Sequence, residues 1–99
     1  MARKRIMAVR LGDGAPDRGW QLTQVERVEW LEDGATFPHE EPREKVARAI
    51  NAGEPFYVRG ADGADAPVRT QLRHGKYYLI SPGGEGQADH LLALPVRTR

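Results

Sequence analysis

The chain has 99 residues, 39% of them hydrophobic, with 15 basic and 14 acidic side chains and a formal net charge of +1. That length supports one hydrophobic core, so a single domain over residues 1–99 is expected and a catalytic core with a separate substrate domain is not. The absence of cysteine excludes disulfide frameworks, thiolate zinc sites and cysteine nucleophiles and points to a reducing, cytoplasmic setting, while no apolar run approaches the roughly 20 residues of a membrane helix.

The charge is unevenly placed. Residues 1–20 carry Arg3, Lys4, Arg5, Arg10 and Arg18 against Asp13 and Asp17, residues 21–54 carry eight acidic against four basic side chains, and residues 55–99 carry six basic against four acidic ones. Basic ends around an acidic centre can steer an anionic partner or draw two copies together end to centre. Residues 1–5 read as a basic arm of the kind often disordered.

In chain order, residues 6–11 read as a strand with Met7, Val9 and Leu11 on one face and Ile6, Ala8 and Arg10 on the other. Asp13-Gly14 and Pro16-Asp17 turn the chain. Residues 22–32 are ambiguous: Leu22, Val25, Val28 and Leu31 recur every three residues behind a Thr23/Glu26 capping box, which argues helix, whereas Val28 and Trp30 alternate with Glu29 and Leu31 as in a strand. Asp33-Gly34 ends that element and Phe37-Pro38 belongs to a loop.

A helix is expected from Pro42 to Ala52. Pro42 suits a first turn, Glu40, Glu41 and Glu44 lie at its positive end, and Gly53 stops it. Val46 and Ile50 form its inner stripe, with Arg43, Lys45 and Arg48 outward. Phe56-Tyr57-Val58 begins a strand, the turn-rich residues 60–65 follow, and Val68, Thr70 and Leu72 alternate with Arg69, Gln71 and Arg73 in a hairpin partner. Tyr77, Tyr78, Leu79 and Ile80 read as a central strand with apolar side chains on both faces. After a glycine-rich loop, Leu91, Leu92 and Leu94 return to the core and Pro95 ends ladder pairing.

Phe56-Tyr57-Val58 after a helix ending in Ala52-Gly53, then Lys76-Tyr77-Tyr78-Leu79, then Asp89-His90-Leu91-Leu92-Ala93-Leu94-Pro95, resemble the small bacterial and phage-associated domain-of-unknown-function family 3892. The resemblance covers the chain from about Gln21 onward. His90 stands where that family usually has Asn, and Ile80-Ser81 replaces its usual basic residue and Thr. The resemblance implies no activity, and it implies that residues 22–31 are extended.

The residues that carry chemistry have simpler readings. His39, His74 and His90 share no local spacing, so no metal or other cofactor is expected. Asp89-His90 with Ser81 lacks a nucleophile elbow, and Asp89 reads as a cap for the Leu91-Leu92 turn. Glu40-Glu41 and Glu26 with Glu29 fall on solvated faces, and Gly83-Gly84-Glu85-Gly86 lacks the helix N-terminus of a phosphate cradle.

The expectation is therefore an α+β domain: a small, largely antiparallel sheet of about five strands with one helix on a face. Its expected role is that of a non-catalytic interaction module, binding a protein partner or itself through a sheet edge or an apolar patch at Trp30 and Phe37. The alternative is weak nucleic-acid binding through Arg3, Lys4, Arg5, Arg10, Arg69 and Arg73. Neither a membrane nor a small-molecule ligand is indicated.

Overall fold

A computed structural model describes residues 2–60 and 62–97. Met1, at the head of the basic segment, and Ala61, in the expected turn, lie outside them. Strand β1 (Lys4–Leu11) pairs antiparallel with β2 (Val25–Glu32) at the centre of a five-stranded sheet. The basic segment therefore does not precede the fold as a free arm: Lys4 and Arg5 open β1, and both have partners on a neighbouring strand of the ladder.

The simple alternation expected for β1 is broken. A bulge between Ile6 and Ala8 sets Met7 aside, so Ile6 faces the core before it and Val9 and Leu11 after it. The ambiguous stretch resolves into both of its readings. Leu22–Gln24 is a single 3-10 turn and β2 follows at once. The capping box there is made by Gln21 and Gln24 rather than Thr23 and Glu26, with the Gln21 amide donating to Gln24 Oε1 at 2.7 Å. Trp20, just before it, is buried in the core.

Strand β3 (His39–Pro42) adds to the outside of β2, and helix α1 (Arg43–Asn51) follows it directly. Gly53, at φ +100, ends the helix as expected. Val46 and Ala47 are fully buried against the sheet. Arg43 is the exception to the predicted outward face. Its guanidinium is buried, donating from Nη1 to the Val25 carbonyl at 2.8 Å and from Nε to the Tyr77 carbonyl at 3.2 Å, and it lies 4.5 Å from the centre of the Tyr78 ring. A long side chain at the first turn of α1 thus reaches a carbonyl of β2 and one of β7, and those hydrogen bonds make its burial favourable.

Strand β4 (Phe56–Arg59) runs parallel to β1 on its other side, and β5 (Asp65–Pro67) pairs antiparallel with β4 as the far edge. The predicted hairpin partner of β4 is thus displaced. Val68 donates to the Phe56 carbonyl and is buried as a corner. Beyond it β6 (Arg69–Arg73) leaves the sheet and pairs with β7 (Lys76–Ile80) as a second, two-stranded sheet. Residues 65–73 thus form one bent run, its first half bonded to β4 and its second half to β7. His74 (φ 51) and Gly75 (φ 77) supply the two left-handed residues that a two-residue hairpin turn requires.

Strand β7 is therefore not central. Leu79 is buried, but Tyr77 is 43% exposed because α1 covers only part of the hairpin face that the two share. A second 3-10 turn, His90–Ala93, buries Leu91 while Leu92 stays exposed. Pro95 does not end pairing. Its carbonyl accepts from Val9 and the Val9 carbonyl accepts from Arg97, so the last described residues lie beside β1. The architecture is α+β: a mixed five-stranded sheet in the order β3-β2-β1-β4-β5, a small second sheet and one α-helix. Among the described residues no helix is long and apolar enough to cross a membrane.

Candidate functional site

Strand alternation splits the β6–β7 hairpin into two faces. Thr70 with Leu79 and Leu72 with Tyr77 oppose each other on the face toward α1, where the Thr70 hydroxyl donates to Asn51 Oδ1 at 2.7 Å. Helix α1 covers only the inner pair, leaving Leu72 58% exposed beside Tyr77. The other face carries Arg69, Gln71, Arg73, Lys76, Tyr78 and Ile80.

This second face forms one wall of a groove of about 570 Å³. Tyr78 and Ile80 meet Leu22 of the first 3-10 turn and Leu92 of the second to make an apolar floor, and Arg73 and His74 stand on the rim. Among the described residues no Asp or Glu lines the groove, and Arg69, Arg73 and Lys76 form no ion pair. Two devices hold its walls. Arg43 ties β7 to the start of β2. Asp89 accepts from the Leu91 amide with Oδ1 and from the Ser81 amide with Oδ2, both at 2.8 Å, so the cap predicted for the Leu91-Leu92 turn also anchors that turn to the end of β7.

The predicted apolar patch at Trp30 and Phe37 does not form. The β2 register sets Trp30 opposite Ile6 on the core face, where it is 7% exposed, stacked on His39 at 4.5 Å and edge-on to Phe56 at 5.9 Å. Phe37 stays alone on the loop between β2 and β3, 80% exposed.

The predicted basic residues divide between two surfaces. Arg5 and Arg10 alternate with core residues of β1 and so face outward from the five-stranded sheet, with Arg3 beside them. That face is a lattice of exposed ion pairs. Arg3 meets Asp33 and Asp65, Arg59 also meets Asp65, Arg10 and Arg27 share Glu40, and Arg97 crosses to Glu29. Arg3 covers the ring of buried Tyr57 at 4.2 Å, and the Tyr57 hydroxyl donates to Asp33 Oδ1 at 2.6 Å. Lys4 is instead part-buried, paired with Glu54 and set over the rings of Trp30 and Phe56. Arg69 and Arg73 lie on the hairpin and do not join this surface.

The titration behaviour of the lattice follows from its contacts. The Arg10 hydrogen bond, then that of Arg27, holds the Glu40 carboxyl below its ordinary range against some desolvation. Desolvation pushes Asp65 upward, but hydrogen bonds from Arg59 and Arg3 outweigh it and leave it lowered. The bond to Asp33, reinforced by desolvation, raises Tyr57 above its usual value.

His39, His74 and His90 stay on separate elements, and among the described residues no cluster of three or more His, Cys, Asp or Glu has metal-binding geometry. Ser81 is fully buried and its hydroxyl donates to the Pro67 carbonyl at 2.9 Å. Of the groove residues, Tyr78, Ile80 and Leu92 were assigned to the core by their hydrophobicity, and Leu22 belonged to the ambiguous stretch. The one signal that set them apart was the cluster Arg69, Arg73, His74 and Lys76, with no acid from residue 68 to residue 81. Comparison with protein-family models, curated proteins and solved structures returns no match.

Proposed function

We propose that this chain is a non-catalytic interaction module that docks an extended protein segment in the groove beside the β6–β7 hairpin. The observation that carries this reading is the groove itself: a cleft open to solvent with Leu22, Tyr78, Ile80 and Leu92 in its lining and Arg73, which forms no ion pair among the described residues, beside them. An apolar floor supplies affinity by desolvation, and rim charges set orientation and association rate. A non-catalytic role is supported by how the candidate chemical groups are used. The Ser81 hydroxyl and both Asp89 carboxylate oxygens are engaged in holding loops. The lack of cysteine supports a cytoplasmic setting.

Weak nucleic-acid binding is less favoured. Arg3, Lys4 and Arg10 already have carboxylate partners, so of the six predicted contacts only Arg5, Arg69 and Arg73 form no ion pair among the described residues, and Arg5 lies on a different surface from the other two. An amide-shift titration against a panel of 12-residue peptides of defined composition, with a mixed-sequence oligonucleotide in parallel, tests the reading. Peptide-dependent shifts at Leu22, Tyr78, Ile80 and Leu92, lost in Leu92→Asp, are expected. Shifts confined to the oligonucleotide, centred on Arg69 and Arg73 and abolished by salt, overturn it, as does a panel that leaves the groove unmoved.

A further inference from the structure

Among the described residues the most exposed large hydrophobic side chain is Phe37, at 80%, on the loop of residues 33–38. The stretch 31–42 contains Glu32, Asp33, Glu40 and Glu41 and no Lys or Arg, so the chain itself carries an acidic segment with a protruding phenyl ring. The groove is its complement in both respects, with an apolar floor at Leu22, Tyr78, Ile80 and Leu92 and a basic rim at Arg73 without an acid.

One chain cannot satisfy both. The groove is built partly on the 3-10 turn that precedes β2, and the Phe37 loop follows β2. An eight-residue strand separates them by roughly 25 Å. We infer that the occupant of the groove is the Phe37 loop of a second copy of this chain. This rests on the docking reading above and names its partner.

A volume of about 570 Å³ has room for a phenyl ring and the backbone on either side of it. Asp33, Glu40 and Glu41 are held by Arg3 and Tyr57, by Arg10 and Arg27, and by Lys45, whereas Glu32, where β2 enters the loop, forms no ion pair among the described residues and is the carboxylate left to meet Arg73 of the acceptor. Donor and acceptor are different surfaces at opposite ends of β2. The contact is therefore heterologous, and repetition closes into a ring or runs on as an open chain.

A heterologous contact makes a prediction that an isologous dimer does not. Phe37→Ser removes the donor and leaves the groove, whereas Leu92→Asp spoils the groove and leaves the donor. Light scattering of the wild type should show a mass rising with concentration above the 11.0 kDa of one chain. Each variant alone should remain monomeric, with association weakened by roughly 30-fold or more. Their equimolar mixture should stop at a dimer, because only one competent contact remains. Arg73→Glu serves as a second acceptor variant should Leu92→Asp disturb the 3-10 turn, with amide spectra confirming each fold. A wild type that stays monomeric to millimolar concentration, variants that associate like the wild type, or a mixture that stays monomeric each overturn the inference. If the peptide panel still shifts the groove in those cases, only the second copy is lost as partner. If nothing shifts it, the docking reading falls as well.

Discussion

The outer face of the five-stranded sheet and the face of the β6–β7 hairpin both present rows of cations, and they use them differently. On the sheet, Arg3, Arg10, Arg27, Arg59 and Arg97 each meet a carboxylate, so the charge is spent inside the molecule. On the hairpin, Arg69, Arg73 and Lys76 form no ion pair among the described residues, and Arg73 stands beside a partly apolar groove. Cations already paired on a solvated face contribute little to stability and offer little to a partner; cations left unpaired beside uncovered apolar surface are available for recognition.

The strongest way to break this contrast is to detach the hairpin. Arg43→Met removes the donor that joins β2 to β7 and leaves the Val25 and Tyr77 carbonyls unsatisfied, so we expect a loss of about 2–3 kcal/mol in urea unfolding together with loss of every groove-dependent shift. Asp89→Ala comes next. It removes the acceptor for the Ser81 and Leu91 amides and should cost about 1–2 kcal/mol, broadening the Leu92 signal before global unfolding.

Two experiments sharpen the sheet side. Tyr57→Phe deletes the bond to Asp33 and should cost about 1 kcal/mol. Because the folded Tyr57 pKa is raised, the neutral phenol is the stabilising form; its contribution is intact below the ordinary tyrosine range and is lost as pH rises through the folded value. In an alkaline absorbance titration Tyr57 should therefore ionise above the ordinary tyrosine range, and its ionisation within that range would contradict the buried bond. For Glu40 and Asp65 the sign is reversed. Their folded pKa values are lowered, so their contribution is present above the ordinary carboxylate range and disappears as pH falls through the folded values. Acid sensitivity should shrink in the double variant Glu40→Gln, Asp65→Asn, and an unchanged acid limb would show that the lattice contributes nothing.

The smallest effect on stability is expected where the effect on binding is largest. Leu72→Ser and Arg73→Ser alter exposed positions and should leave the urea midpoint within about 0.5 kcal/mol of wild type. Arg73→Ser should nonetheless weaken docking in the peptide titration. The equivalent Arg27→Ser on the sheet should not, and equal effects at the two sites would erase the distinction between the faces.

Local chemistry was enough to place the helix between Pro42 and Gly53, the strand at Phe56-Tyr57-Val58 and the Asp89 cap, because each depends on a residue and its near neighbours in the chain. It also placed strands at residues 68–73 and 77–80, but it paired the first with Phe56-Tyr57-Val58 rather than with the second. The side of the molecule on which each residue ends depends on partners far away in sequence. The bulge at Met7 turns β1 over, the Trp30 register buries the ring expected in a surface patch, and the corner at Val68 carries Arg69–Arg73 out of the sheet that holds Arg3, Arg5 and Arg10. Hydrophobicity alone assigned Tyr78, Ile80 and Leu92 to a core, since an apolar residue reads the same whether it is covered or not. Only the tertiary arrangement, with α1 wide enough to cover one face of the hairpin and not the other, left them at the surface as the floor of a groove.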